Sequence, residues 1–174
     1  MTASKALPWL LLAAACAPTG PSLTAAEREA VTDDVSAASL ALVEAMNAHE
    51  PNSILSLYVL DADFTYVGCT DFMFGGDVFA TIVGAYHRDN PEVHYDMAVQ
   101  SVRVLGPALA VVSLRGTSSP DLALFTTRVV RRDGDGRWRV VWEHESWPGC
   151  SAPAAPHAGT EPGDSAALTP GGAS

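Results

Sequence analysis

The sequence predicts an α+β domain: one long, mainly antiparallel sheet with helices packed on one face. Three observations predict it. Apolar residues recur at three and four positions in two stretches before residue 60, and a third helical stretch ends at His87. Long alternating stretches then follow between residues 93 and 146, each divided from the next by a turn signal. Hydrophobic residues make up 48% of a chain of 174 residues, enough for one core with tails on either side.

The elements follow in order. From Thr24 to about His49, Val35, Ala38, Leu42, Ala45 and Met46 share one helical face, with Glu27 and Glu29 in the first turns, where the dipole favours them. Pro51 suits the first turn of a second short helix, NSILSLY, with Ile54, Leu55 and Tyr58 as its buried side. DADFTYVG, Asp61 to Gly68, alternates and is rich in aromatics, as a strand requires. A short strand comes next, broken by Gly75-Gly76, before a third helix from Asp77 to His87 with Asp77 as its N-cap. Strands are expected over Val93–Leu105, Leu109–Thr117 and Leu122–Arg132, with LGPA and SSPD as turns. DGDG, Asp133 to Gly136, is a hairpin signal leading into a last strand, RWRVVWEHES.

The N-terminus reads as an address. Residues 1–16, MTASKALPWLLLAAAC, carry one charge at Lys5, then an apolar run too short to span a membrane, then small residues before a cysteine. The pattern resembles a bacterial lipobox, in which Cys16 becomes the lipid-carrying N-terminus. Residues 17–23 then form a tether, residues 24–147 the domain, and residues 148–174 a Pro/Gly/Ala-rich tail with too little apolar surface to order itself. The expectation is an exported protein in the bacterial cell envelope, on its periplasmic or cell-surface side, touching the membrane only through its lipid anchor.

Composition removes several function classes. The formal net charge is −10, which argues against nucleic acid, because phosphate binding needs clustered Lys and Arg. Lys5 is the only lysine. Once the leader is removed, lysine Schiff bases, lysine general bases and P-loop phosphate binding are excluded. His94 and Asp96 lie two apart with His87 upstream, but no dense His/Cys pattern is present, so neither a metal nor another cofactor is expected. His87, at a helix end, has the position of a dipole-complementing cation.

If DGDG closes its hairpin symmetrically, Arg131 pairs with Trp138, Val129 with Val140, Thr127 with Trp142 and Phe125 with His144 on one mainly apolar face. The other face carries Arg128, Arg139, Glu143 and Glu145. On that register the apolar face meets the helices, and the two glutamates look outward as solvated or interface charges. His144 then sits on the apolar face at the strand end. It is either a core histidine with one hydrogen bond or a polar group at the mouth of a pocket, available for acid–base work.

Taken together, the long first helix ending MNAHEPNSILSLY, the strand DADFTYVG, the Gly-Gly break before a helix, VRVLGPALAVVS and the terminal DGRWRVVWEHES resemble the SnoaL-like (DUF4440-like) branch of the nuclear transport factor 2-like (NTF2-like) superfamily, over about Thr24 to Trp147. The resemblance implies a curved sheet wrapped around the N-terminal helices, a cone with an apolar pocket. The superfamily includes ketosteroid isomerase, dehydratases, polyketide cyclases, kinase association domains and many proteins of no known activity, so the fold does not give the function. Where ketosteroid isomerases carry their aspartate base, alignment on Val67-Gly68 puts Thr65 and Tyr66. Neither is a carboxylate, which weakens an isomerase reading.

Tyr58, Phe64, Tyr66, Phe79, Tyr95, Phe125, Trp142 and His144 are the candidate pocket lining, and aromatics of this kind also serve as plain core. The expected function is an envelope domain that binds a small apolar molecule or a protein partner without catalysis, as a homodimer through the outer face of its sheet. The alternative is a cofactor-free lyase, isomerase or hydrolase with His144 as general acid or base, helped by Tyr66 and Asp96. With Cys16 lipidated, Cys69 and Cys150 are the two thiols left. The resemblance implies that the first and last strands run parallel side by side, which would bring these cysteines together as a disulfide in an oxidising compartment.

Overall fold

The computed structural model describes residues 22–69, 71–118 and 121–150; Cys16, the leader and the tail beyond Cys150 lie outside the described residues. Helix α1, Ala25–Asn47, begins at a capping box: the Thr24 hydroxyl accepts from the Glu27 amide, and the Glu27 carboxylate accepts from the Thr24 amide at 2.7 Å. Val31, Val35, Leu42, Val43 and Met46 form its buried stripe. At its end Asn47 holds the chain opposite: its side-chain NH2 donates to the Tyr95 carbonyl at 2.9 Å, and its oxygen accepts from the Tyr95 amide at 2.7 Å.

Helix α2, Pro51–Leu55, buries Ile54. Strands β1, Thr65–Val67, and β2, Phe72–Phe74, are three residues each. The first is shorter than its alternation suggests because Asp61–Asp63 turn: the Asp61 side chain accepts from the Asp63 amide, and its carbonyl accepts from Phe64 and Gly76. Helix α3, Gly76–Asp89, starts one residue earlier than expected. Its N-cap is Gly75 at φ +88°, not Asp77, which lies in the first turn. The displacement has a packing cause. A Cβ on Gly76 would meet the Leu60 backbone at 2.3 Å, so the helix start is pressed against the preceding loop.

Strands β3, Tyr95–Gly106, β4, Leu109–Ser118, β5, Leu122–Arg132, and β6, Trp138–Ser146, form a meander. The six-stranded sheet has the order β2-β1-β6-β5-β4-β3, antiparallel except where β1 runs parallel to β6. It does not close on itself. Its inner face packs on α1 and α2 through Ala110, Val112, Leu114, Val130, Trp138 and Val140. Each Leu or Val so buried contributes roughly 1.5–3 kcal/mol. Cys69, just after β1, and Cys150, after β6, form a disulfide with Cα atoms 5.2 Å apart.

The last hairpin differs from the symmetric closure in two ways. Trp138 pairs with Arg132 and Val140 with Val130, a register one residue away from the expected one. That shift carries Leu124, Thr126, Arg128 and Val130 to the inner face, where all four are buried. The ladder then breaks: Val130 pairs with Val140, but Val129 pairs with Trp142, leaving Val141 as an extra residue in β6. This β-bulge reverses the alternation beyond it. Trp138 and Val140 point inward before it; Glu143 and Glu145 point inward after it. The outward placement expected for Arg128, Glu143 and Glu145, and the inward one expected for Trp142 and His144, are both reversed.

Candidate functional site

The mouth of the cone holds a cavity of about 420 Å3 between α3, the ends of β1 and β6, and the start of β3. Tyr58, Tyr66, Phe79 and Tyr95 line it, with Met46, Ile54 and Leu124 on the apolar side. Ile82, Tyr86 and Leu122, each 42% exposed, mark the rim. Phe64 is buried behind this wall, edge-on to Tyr58 and tilted against Phe79.

The polar floor comes from β6. Glu143, 1% exposed, accepts from the Arg128 Nε at 2.8 Å through one carboxylate oxygen and from the Tyr58 hydroxyl at 2.5 Å through the other. Two residues on, Glu145 accepts from the Tyr66 hydroxyl at 2.8 Å. These contacts follow from topology. Arg128 lies opposite Glu143 on the β5–β6 ladder, and Tyr66 lies beside Glu143 on the parallel β1–β6 ladder. Tyr58 joins from an isolated bridge to Val140.

The two carboxylates sit in different surroundings. Glu143 is answered by a full positive charge and a phenol. Glu145 has one phenol and a negative neighbour. Burial first, then the Glu143 charge, pushes the Glu145 carboxyl up to about 7, while the Tyr66 hydrogen bond and Arg128 pull back. Burial opposes the charge on Arg128, but Glu143 overcomes it and holds the guanidinium above its ordinary pKa. Burial and then Glu143 raise the Tyr58 phenol; burial and then Glu145 raise that of Tyr66. Burial followed by the Tyr86 contact raises Tyr95. All three tyrosines are therefore hydroxyl donors at neutral pH. The Arg128 Nη1 and the Thr126 hydroxyl have no hydrogen-bond partner among the described residues.

His87 also lines the cavity. It is 4% exposed, and burial, then nearby His49, lowers its pKa. The helix-end position expected of a cation thus holds a neutral imidazole, because burial outweighs the dipole. Its Nδ1 has no hydrogen-bond partner among the described residues.

Four of the expected lining residues meet at the cavity: Tyr58, Tyr66, Phe79 and Tyr95. Phe125, Trp142 and His144 do not. Phe125 is 40% exposed under the Arg115 guanidinium, and Trp142 stacks with His144 on the outer face beyond the bulge. Asp96 is exposed on β3, pointing away from the side of buried Tyr95. Neither His144 nor Asp96 lines the cavity with Tyr66. The residues missed by the sequence reading are Glu143, Glu145 and Arg128. A signal for them was present: a Glu-x-Glu pair within an aromatic strand, with an arginine flanked by threonines and valines in the strand before it. Among the described residues, no group of three or more His, Cys, Asp or Glu is arranged to hold a metal ion.

No protein-family model matches the sequence, and no curated protein does. Solved structures do match. A Streptomyces avermitilis protein described as a candidate dehydratase of the NTF2-like family aligns at 19% identity and TM-score 0.61, over 74% of this chain and 99% of its own. An NTF2-like protein of unknown function from Pseudomonas putida aligns at 18% identity and TM-score 0.60, over 69% and 88%. A ketosteroid isomerase-like protein from Erwinia carotovora aligns at 20% identity and TM-score 0.52, over 67% and 95%. What this chain shares with all three is the fold: an NTF2-like α+β cone.

Proposed function

We propose that the protein binds a small, largely apolar molecule in this cavity, with a polar end of the ligand held at Glu145 and Tyr66. The observation that carries the reading is an aromatic cavity of about 420 Å3 with two hydrogen-bonded carboxylates, Glu143 and Glu145, on its floor. Pockets for small ligands have this composition. The SnoaL-like branch and a homodimer formed through the outer sheet face, where Phe125 and Trp142 lie, complete the proposal. So does a lipid anchor at Cys16 in the cell envelope, and the Cys69–Cys150 disulfide supports an oxidising compartment. Native mass spectrometry of protein taken from its own envelope tests the binding reading. A retained mass of small-molecule size, released by a bulky replacement such as Phe79→Trp, is expected. A bare chain that also takes up no hydrophobic dye would overturn it.

One observation favours a second reading, cofactor-free acid–base catalysis. The Glu145 carboxyl titrates near neutrality beside a hydroxyl donor, the state suited to moving a proton at a carbon next to a carbonyl. Glu145, not His144, is then the acid or base. Deuterium uptake from solvent into small cyclic ketones, followed by NMR, tests it. Wild-type exchange that disappears in Glu145→Gln supports catalysis, and equal exchange in both variants removes it.

A further inference from the structure

We propose that the cavity takes a small hydrophobic cation, an amine or a quaternary ammonium compound, with its charge against Glu145 and its hydrocarbon against the aromatic wall. This rests on the binding function proposed above and narrows its ligand class. The first ground is the charge on the wall. Asp71, Glu143 and Glu145 line the cavity, and no lysine or arginine does. Arg128 is not part of the wall, and its Nε is already committed to Glu143. One arginine offsets one carboxylate, so an ionised Glu145 leaves the floor negative. An anionic ligand would be repelled there, and a neutral one would leave that charge unanswered.

The second ground is the surface around the carboxylates. Tyr58, Tyr66, Phe79, Tyr95 and Trp147 line the same space. Aromatic faces attract ammonium groups through the ring quadrupole, and more strongly where water is excluded. The third is His87, which is 4% exposed, lines the cavity and has an Nδ1 with no partner among the described residues. The Nδ1 atom itself is shielded, so the ring contributes an uncharged stretch of wall and not a hydrogen-bonding partner for the ligand. Because burial keeps this imidazole neutral, it does not cancel the carboxylates. Finally, a chain of net charge −10 draws cations towards its surface.

Binding is then tied to pH through Glu145. The groups that share its surroundings are Tyr66 of β1, Asp71 before β2, Glu143 of β6, Arg128 of β5, Tyr58 after α2, Tyr95 of β3, and Tyr86 and His87 of α3. Of these, the three buried phenols stay protonated, Arg128 stays charged, and His87 gains a proton only on the acid side. Protonating Glu145 or His87 acts in the same direction, against a cation.

The test uses two probes of one skeleton, phenethylamine and 2-phenylethanol. The amine remains an ammonium over about pH 5.5–8.5, well below an alkylammonium pKa of ~10. Calorimetric titration of the folded domain at about pH 8 is expected to give a Kd for the amine at least ~10-fold below that of the alcohol. That advantage should shrink towards about pH 5.5, while alcohol binding changes little. Glu145→Gln, checked for fold by near-ultraviolet circular dichroism, is expected to lose most of the advantage. The wild-type pH series carries the test even if that variant does not fold. If the alcohol binds as tightly as the amine at every pH, the cation inference is wrong and the cavity reading stands. If neither binds, both fall.

Discussion

Arg128 lies directly across the β5–β6 ladder from Glu143, and its Nε donates to the carboxylate at 2.8 Å with both side chains 2% exposed. Removing one member of such a pair leaves an uncompensated buried charge. Arg128→Met is therefore expected to cost about 3–5 kcal/mol in urea unfolding. Combined with Glu143→Gln it should cost much less than the sum of the single variants. Additive losses in that double-mutant cycle would mean that the two groups are not coupled.

The stability of the empty protein should depend on the protonation of Glu145. Its folded pKa of about 7 lies above the ordinary 4.5, so the folded state holds the proton more tightly than the unfolded chain. This contribution is fully present below pH 4.5 and is lost as pH rises through about 7. Its size is at most ~3 kcal/mol. His87 works in the opposite sense: its pKa is lowered, so its contribution is lost as pH falls below 6.5. Unfolding curves of the wild type and Glu145→Gln, compared at matched pH, isolate Glu145. The wild type should lose stability relative to Glu145→Gln, which stays neutral, as pH rises from about 4.5 through about 7, and a constant difference would count against the buried, shifted carboxyl.

The Cys69–Cys150 disulfide closes a loop across 81 positions of sequence. Chain entropy gives ~4 kcal/mol for a loop of that length. Replacing both cysteines by serine should lower stability by up to that amount. Labelling the denatured, unreduced domain with a thiol reagent should find neither cysteine reactive.

Cys16→Ser is expected to move the protein from the membrane fraction into the soluble periplasm or medium. Wild-type protein that is already soluble would remove the lipid anchor from the proposal.

The fold was legible because its signals are local and periodic. The stripe Val35, Leu42 and Met46, the helix-starting Pro51 and the turn residues of the meander each act within a few positions. The site was legible only in part. Tyr58, Tyr66, Phe79 and Tyr95 could be found as large aromatics on the elements that surround the cavity, but the same reasoning also named Phe125 and Trp142, which lie outside it. Glu143 and Glu145 could not be found, because their direction depends on two non-local matters: a hairpin register shifted by one and the extra residue Val141. Side chains alternate with a period of two, so either error alone turns a face over. The register error placed Arg128 outside, and the unseen bulge placed Trp142 and His144 within. The buried carboxylates also run against the usual preference for exposed Glu, which holds only until an arginine and phenols are there to meet them.

The two hydrogen bonds between Asn47 and Tyr95 have a consequence for how the molecule behaves in company. Strand β3 is the last in the sheet, and among the described residues no strand lies beyond it to take up its outward amides and carbonyls. Exposed strand borders of this kind invite pairing with another chain, the first step of many aggregates. Asn47 meets both backbone groups of Tyr95 with the donor and acceptor of one amide, as a residue of an adjoining strand would. A helix thus lends the sheet a one-residue surrogate strand at the point where β3 begins. The side chain that fastens α1 to the cavity wall also occupies the first backbone groups of that border, where an approaching strand would otherwise pair.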